Sequence, residues 1–254
     1  MFRLLAGLFL LILSSACQKD YSLETGRKPG DEVCGRLDRI IHQPGTADEN
    51  SFRFSYDEKG TLVALSDSAA GKTYNLAYNS SGKLISKSAP GSTTLYTYDS
   101  SGRLATVSFT YPLPSRYEFF YGTGNIPEEA DFYQEKNGAL ALMYNQLYFL
   151  QDGNISGIDY DSIGIIRKES WQADMGTSTI PLMSLLQIGS DFSWGYPQPA
   201  TIYFNRNLPA VWSSQRHGVT YQYAYSYSGT KLSSYTRTDQ LGNQVLWVFE
   251  YNCL

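Results

Sequence analysis

The chain contains few of the residues on which reactive chemistry depends. Among its 254 residues there are three cysteines and two histidines, and 17% of the residues are charged. His42 and His217 lie in separate loop-like stretches, and no spacing of carboxylates around them indicates a metal site. A Gly-x-Ser-x-Gly elbow, a phosphate-binding loop and a His-Glu-x-x-His motif are also missing. The sequence therefore predicts no metal, no cofactor and no recognisable catalytic centre.

Positive charge is scarce as well. The 20 lysines and arginines are outnumbered by 24 aspartates and glutamates, which gives a formal net charge of −4. The basic residues form no stripe or cluster along the sequence. Because nucleic-acid binding depends on such clusters, we do not expect nucleic acid to be a partner.

The apolar run near the N-terminus is too short to cross a membrane as a helix. It extends from Leu4 to Leu13, about ten residues, which is the length of a secretory signal core. The run follows Arg3 and leads into Leu13-Ser14-Ser15-Ala16-Cys17, which resembles the lipobox of bacterial lipoproteins. This resemblance implies that residues 1–16 are a signal peptide, and that lipids on Cys17 attach the mature protein to a membrane.

The residues after this motif bear on the location of the protein. Cys17-Gln18-Lys19-Asp20 resembles the export tags of surface lipoproteins in Bacteroidetes, which implies the outer membrane and its cell-surface side. The periplasmic face is the alternative, and the segment can also be read as an ordinary solvated linker. Residues 17–32 are rich in Gly, Lys, Pro and Glu, a composition typical of a flexible tether.

Two cysteines remain if Cys17 carries lipid. Cys34 and Cys253 lie near the two ends of the expected folded region. An even pair in an exported chain favours a disulfide, which would tie the first strand to the last and stabilise the fold by on the order of 4–5 kcal/mol in the chain-entropy model. The alternative is a pair of free, buried thiols. No Pro/Ser-rich linker interrupts residues 33–254, so we expect a single domain there.

Aromatic residues and an internal repeat indicate an all-β fold. The chain has 21 tyrosines and 12 phenylalanines. Residues 52–62, 74–84 and 94–104 each alternate aromatic with polar residues, turn at Asp or Asn followed by Gly, and restart with an aliphatic residue. Each unit therefore predicts a β-hairpin. The recurring acids Asp57, Asp99 and Asp161 predict Asx turns rather than metal or acid/base chemistry.

Weaker copies of the unit continue to the C-terminus and predict 14–18 short strands in an up-and-down antiparallel meander. The pattern resembles the YD repeats of RHS-type proteins and a group of Bacteroidetes lipoproteins of unknown function with a porin-like domain. So many strands should curl into a barrel or bent shell with the aromatic side buried. A transmembrane barrel is disfavoured, because tyrosines occupy the apolar face throughout and the chain ends in Cys253-Leu254.

The repeat is interrupted between residues 170 and 200. Residues 180–188 have a capping residue, an early proline and helical apolar spacing, which predict one short helix. Four aromatic residues lie around this insertion, and we consider them as a ligand site: Trp171, Trp194, Tyr196 and Trp212. If exposed, they would stack on sugar rings; if buried, they are core residues, which is the favoured interpretation.

Two functions are compatible with the sequence. The first is a non-catalytic, surface-anchored module that binds a glycan, a peptide or a neighbouring surface protein, or that serves as a scaffold. The alternative is a glycan-directed hydrolase with its site scattered over the curled sheet. The group Glu128, Glu129 and Asp131 can supply one carboxylate for such a hydrolase, but no partner carboxylate is assigned.

Overall fold

The computed structural model describes residues 34–162, 165–178, 207–215, 218–229 and 231–253. Across these ranges the chain forms sixteen β-strands. None of the described residues belongs to a helix long and apolar enough to cross a membrane. The helix expected near residues 180–188 and the expected lipid site Cys17 lie outside the described residues.

The strands are numbered in chain order. They are β1 Cys34–His42, β2 Asn50–Tyr56, β3 Leu62–Asp67, β4 Lys72–Tyr78, β5 Leu84–Ala89, β6 Ser92–Tyr98, β7 Leu104–Phe109, β8 Ser115–Phe120, β9 Glu129–Lys136, β10 Ala139–Gln151, β11 Asn154–Ser162, β12 Ile165–Ser178, β13 Asn207–Ser214, β14 Val219–Ser228, β15 Lys231–Asp239 and β16 Gln244–Cys253.

The strands form one antiparallel sheet that closes on itself. Each strand pairs with the strands before and after it in the chain, and β1 pairs with β2 on one side and β16 on the other. Among the sixteen described strands, closure leaves no edge strand with unpaired backbone groups. The predicted up-and-down meander of 14–18 strands, curled into a barrel or shell, is confirmed.

Side chains alternate between the interior and the outer surface. Phe52 and Phe54 on β2 are buried, whereas Arg53 and Ser55 between and beyond them are exposed. The interior is a continuous apolar core to which strands from β1 to β16 contribute, with large members that include Ile40, Tyr74, Tyr96, Tyr148, Trp212, Tyr235, Trp247 and Phe249. The barrel is therefore filled by side chains, and the aromatic face predicted from the alternation is the buried one.

The turns of the regular repeats are Asx turns, as predicted for Asp57 and Asp99. An Oδ1 atom of Asp57 accepts a hydrogen bond from the amide of Thr61 at 2.7 Å, and Asp99 accepts one from the amide of Arg103 at 2.8 Å. Gly60 and Gly102 have φ angles of 86° and 79°, a backbone conformation that other residues rarely adopt.

Asp161, the third acid for which an Asx turn is predicted, lies within β11, exposed and in register with Asn145 on β10. Residues 163 and 164 lie outside the described residues, so the turn at Asp161 stays a prediction. A corresponding Asx turn is made by Asp239, whose Oδ1 accepts hydrogen bonds from the amides of Leu241 and Asn243. The side chain of Asn243 donates a hydrogen bond to the carboxylate of Asp239, and this bond lowers the pKa of Asp239. Desolvation of the carboxylate acts in the opposite direction.

A second repeated element, the tyrosine ladder, joins consecutive units. Each member donates a hydrogen bond of 2.7–2.9 Å from its phenol to a leucine carbonyl on the neighbouring earlier strand: Tyr56 to Leu37, Tyr78 to Leu62, Tyr98 to Leu84, Tyr121 to Leu104 and Tyr251 to Leu232. Basic side chains lie over several of these rings, such as Arg103 at 4.4 Å from the centroid of Tyr121. Burial raises the pKa of Tyr56 to about 12, so this phenol stays protonated and donates at neutral pH.

Replacing one rung of the tyrosine ladder should weaken the fold without changing its shape. In Tyr98→Phe the carbonyl of Leu84 loses its 2.8 Å partner, and we expect the free energy of unfolding to fall by about 1 kcal/mol in urea denaturation. Tyr111→Phe is the matched control, because Tyr111 is 48% exposed and outside the ladder. Equal stabilities of the two variants would contradict a structural role for the phenol.

The seam between β1 and β16 places the two cysteines opposite each other. The register of this pair aligns the Cα atoms of Cys34 and Cys253 as partners. We expect peptide mapping of the unreduced protein to recover both residues in one disulfide-linked pair. Cys253→Ser should lower the melting temperature and keep the β-type circular dichroism, since the bond acts mainly on the unfolded chain.

The double variant Cys34→Ser with Cys253→Ser is the control for this prediction. If a disulfide is present, the second substitution should add no further loss of stability, because the first has already removed the bond. Recovery of two alkylated thiols from unreduced protein would show that the disulfide is absent.

Candidate functional site

The structure describes one side chain of the predicted aromatic site, that of Trp212. Trp212 lies on β13, is 5% exposed and belongs to the apolar core. Its register partner on β12 is Trp171. The indole stacks on Tyr221 of β14, with ring centroids 5.3 Å apart. An indole in this position packs with the core and presents no open platform for a sugar ring. Trp194 and Tyr196 lie outside the described residues.

A second buried tryptophan was not considered as a site residue from the sequence. Trp247 on β16 stacks on Tyr235 of β15 at 5.7 Å and contacts His42 of β1 at 4.2 Å between ring centroids. Burial is the main effect that lowers the pKa of His42. His42 thus packs across the seam of the barrel. Within the ranges that the structure describes, no group of three or more potential ligands is arranged to hold a metal ion.

A shallow cleft lies at the end of the barrel where the chain enters β1. It has a volume of about 500 Å³ and is lined by Ser228, Gly229, Lys231, Ser233, Phe249 and Tyr251. The ammonium group of Lys231 lies 5.5 Å from the ring centroid of Tyr251. These lining residues offer hydroxyls, one cation and aromatic surface, but no carboxylate. The cleft therefore lacks the carboxyl pair that glycoside hydrolysis requires.

The acidic group considered for the hydrolase lies mostly on the outer surface. Glu129 and Asp131 project outward from β9, and the side-chain amide of Asn145 on β10 donates a hydrogen bond to each, that to Asp131 at 3.0 Å. The hydroxyl of Tyr133 also donates to Asp131, at 3.0 Å. The two carboxylates thus form a polar surface cluster.

The repeat pattern did not bring these residues together. Glu129, Asp131 and Asn145 become neighbours through the register of β9 with β10, in which Asn145 is paired with Asp131. The hairpin between them turns at Asn137-Gly138, both with positive φ, which is a shorter turn than those of the regular repeats and is the signal in the sequence that could have indicated the pairing. Alternation alone indicates that each side chain faces outward, but it does not identify the residue beside it.

Loss of the Trp212 indole should destabilise the barrel. In Trp212→Ala the core loses a buried aromatic ring, and we expect the free energy of unfolding to fall by about 3–5 kcal/mol in urea denaturation. Leu95→Ala is the matched control, because Leu95 is 47% exposed on the outer surface of β6 and should change stability by no more than about 0.5 kcal/mol.

If Trp212→Ala does not fold, the milder substitution Trp212→Phe allows the same test, because it keeps an aromatic ring in the core. We expect the phenylalanine variant to lose less stability than the alanine variant and more than the Leu95 control. A stability equal to that of the unmodified protein would place the indole outside the core.

Comparison with known proteins agrees with this architecture. Residues 39–145 match the family model of the Teneurin YD-shell, and this range contains the three most regular repeats. The fold is similar to that of a porin-like protein from Bacteroides uniformis, with a TM-score of 0.55 and 10% identity over 86% of this chain and 98% of that chain. A porin-like protein from Bacteroides vulgatus gives a TM-score of 0.58 and 10% identity over 87% of this chain and all (100%) of that chain. No curated protein matches the chain.

At 10% identity the structural likeness shows the fold alone. The family match adds the repeat, because the hairpins with their Tyr-Asp or Tyr-Asn turns lie in the matched range. The resemblance predicted from the sequence, to YD repeats and to a porin-like domain, is thereby confirmed. Residues 39–145 are built from YD-type β-hairpin repeats, and the chain has a fold similar to that of the two porin-like proteins.

Proposed function

We propose that this protein is a lipoprotein of the outer membrane whose β-barrel is a non-catalytic module for binding or scaffolding at the cell surface. The observation that carries the proposal is the combination of a lipobox-like leader with a barrel whose interior is filled by apolar and aromatic side chains. A filled interior leaves the outer surface and the loops to interact with other molecules.

The position of the chain termini supports the anchoring. β1 begins at Cys34 and β16 ends at Cys253, and the two residues are register partners at the same end of the barrel. A tether from Cys17 joins the barrel at this end. The opposite end and the outer surface are therefore presented away from the point of attachment.

The hydrolase alternative receives no support from the described residues. The carboxylates of Glu129 and Asp131 lie on the convex surface and share one amide donor, and the residues lining the shallow cleft include no carboxylate. A glycosidase requires two carboxyl groups facing each other across a bound sugar. This arrangement favours a role in binding or scaffolding.

The anchoring is tested by substituting the expected lipid site. Cys17→Ala should abolish incorporation of labelled fatty acid and move the protein from the membrane fraction to the soluble fraction, because no other lipid attachment is expected. Cys253→Ser is the control and should retain the label. Fatty-acid labelling that persists in Cys17→Ala would rule out lipid attachment at Cys17.

Protease treatment of intact cells distinguishes the two membrane faces. We expect an externally added protease to degrade the protein while a periplasmic marker survives. Complete protection of the protein in intact cells, with degradation after the outer membrane is opened, would place it on the periplasmic face instead.

A further inference from the structure

The outer surface of β2 to β7 carries many small hydroxyl side chains. Outward positions on β2 to β7 include Ser55, Ser66, Thr73, Ser86, Ser88, Thr97, Thr106 and Ser108. Neighbouring hydroxyls bond across the strands, at 2.9 Å between Ser66 and Thr73 and at 2.7 Å between Thr97 and Thr106. A surface of this kind is polar and close to neutral.

The outward positions of β8 to β12 differ in both charge and hydrophobicity. One row across the sheet consists of Glu118, Asp131, Asn145, Asp161 and Ile166, and a second consists of Phe120, Glu129, Leu147, Asp159 and Lys168. Leu142, opposite Tyr133, continues the apolar surface toward the β9–β10 turn. We call the surface formed by these residues the acidic-apolar face.

The apolar residues of this face are well exposed. Ile166 is 58% exposed and Leu142 is 55% exposed, and Leu147 and Phe120 are exposed as well. Such residues contribute little to a barrel whose core lies on the other side of the sheet. Exposed aliphatic and aromatic side chains interspersed with polar ones are characteristic of protein interaction sites.

The charge of the face is predominantly negative. Lys168, the cation among these residues, lies 3.5 Å from Asp159, and Arg116, which borders the face on β8, lies 2.6 Å from Glu118. Glu129 and Asp131 are held together by hydrogen bonds from the amide of Asn145. The face therefore combines aliphatic surface with a negative field.

We propose that the acidic-apolar face binds a segment of a partner protein that presents basic and aliphatic side chains together. The inference rests on the proposed function as a binding module, and it assigns that function to a surface and to a class of partner. Aliphatic side chains of the partner would cover Leu142, Leu147 and Ile166, while its lysines or arginines would meet the carboxylates beside them.

Charge complementarity favours this occupant over two others. A second copy of the chain docked through the same face would bring carboxylates against carboxylates, which is unfavourable. An anionic lipid surface would be repelled by the same groups. Because the sheet is closed, a partner cannot add a strand at an edge and must recognise the side chains of the face.

The test measures binding of a short fluorescein-labelled peptide of alternating lysine and leucine by fluorescence anisotropy. The purified full chain is used, in phosphatidylcholine nanodiscs if it is lipidated, with empty nanodiscs as the blank. We expect this peptide to bind saturably. Two control peptides, one of alternating glutamate and leucine and one of alternating lysine and serine, should not bind. Since the assay works with or without the lipid, failure of the proposed anchoring does not affect its outcome.

Two double variants separate the apolar and the electrostatic contributions. Leu142→Ser with Ile166→Ser removes aliphatic surface, and Glu129→Gln with Asp131→Asn removes charge while keeping oxygen acceptors for Asn145. Each double variant should weaken binding at least about tenfold. Binding of the peptide to the unmodified chain should also become weaker as the salt concentration is raised, because salt screens the charges. Leu95→Ser and Glu58→Gln, outside the face, are the matched controls and should bind as the unmodified chain does.

Three results would overturn the proposal. The first is absence of saturable binding, and the second is equal weakening by the control variants and the face variants. The third is a dimer in sedimentation velocity that Leu142→Ser with Ile166→Ser dissociates, because it would identify a second copy as the occupant. Thermal unfolding of each variant shows that it is folded before its binding is compared.

Discussion

Closure of the sheet through pairing of β1 with β16 is the constraint on which the other features of this barrel depend. In an antiparallel sheet every strand needs hydrogen-bonding partners on both sides, and only a closed order supplies them to all sixteen strands. Once the sheet is closed, each side chain is either inside or outside. The aromatic side chains fill the interior, and the outer surface becomes available for recognition.

The tyrosine ladder adds a connection that the backbone pairing alone does not provide. Each phenol reaches back to a leucine carbonyl of a preceding strand, so the position of one hairpin fixes that of the next. Antiparallel strands can slip in register, and a slip by one residue would reverse every side chain between core and surface. A buried, directional hydrogen bond in successive repeats opposes such a slip.

Much of the architecture was predictable from the sequence, because hairpins are local. The alternation of Phe52 and Phe54 with Arg53 and Ser55 gave the two faces, and the Asp57 and Asp99 turns followed from their spacing to glycine. Asp161 resembled these turn acids in sequence but lies within a longer strand. The acidic-apolar face was not predicted, because its members come from five strands and meet only through register. The burial of Trp212, by contrast, agrees with the interpretation favoured from the sequence.

The meeting of the first and last strands also determines the order in which the protein can be completed. A chain synthesised from its N-terminus presents β1 long before β16 has been made, and β1 then has a partner on one side only. The barrel cannot close until nearly the whole chain has been made, and closing it joins residues more than two hundred positions apart. During that interval the growing chain has a free strand edge that can pair with other chains. The seam that completes the barrel is therefore also the part of the sheet that stays open to wrong pairing for longest.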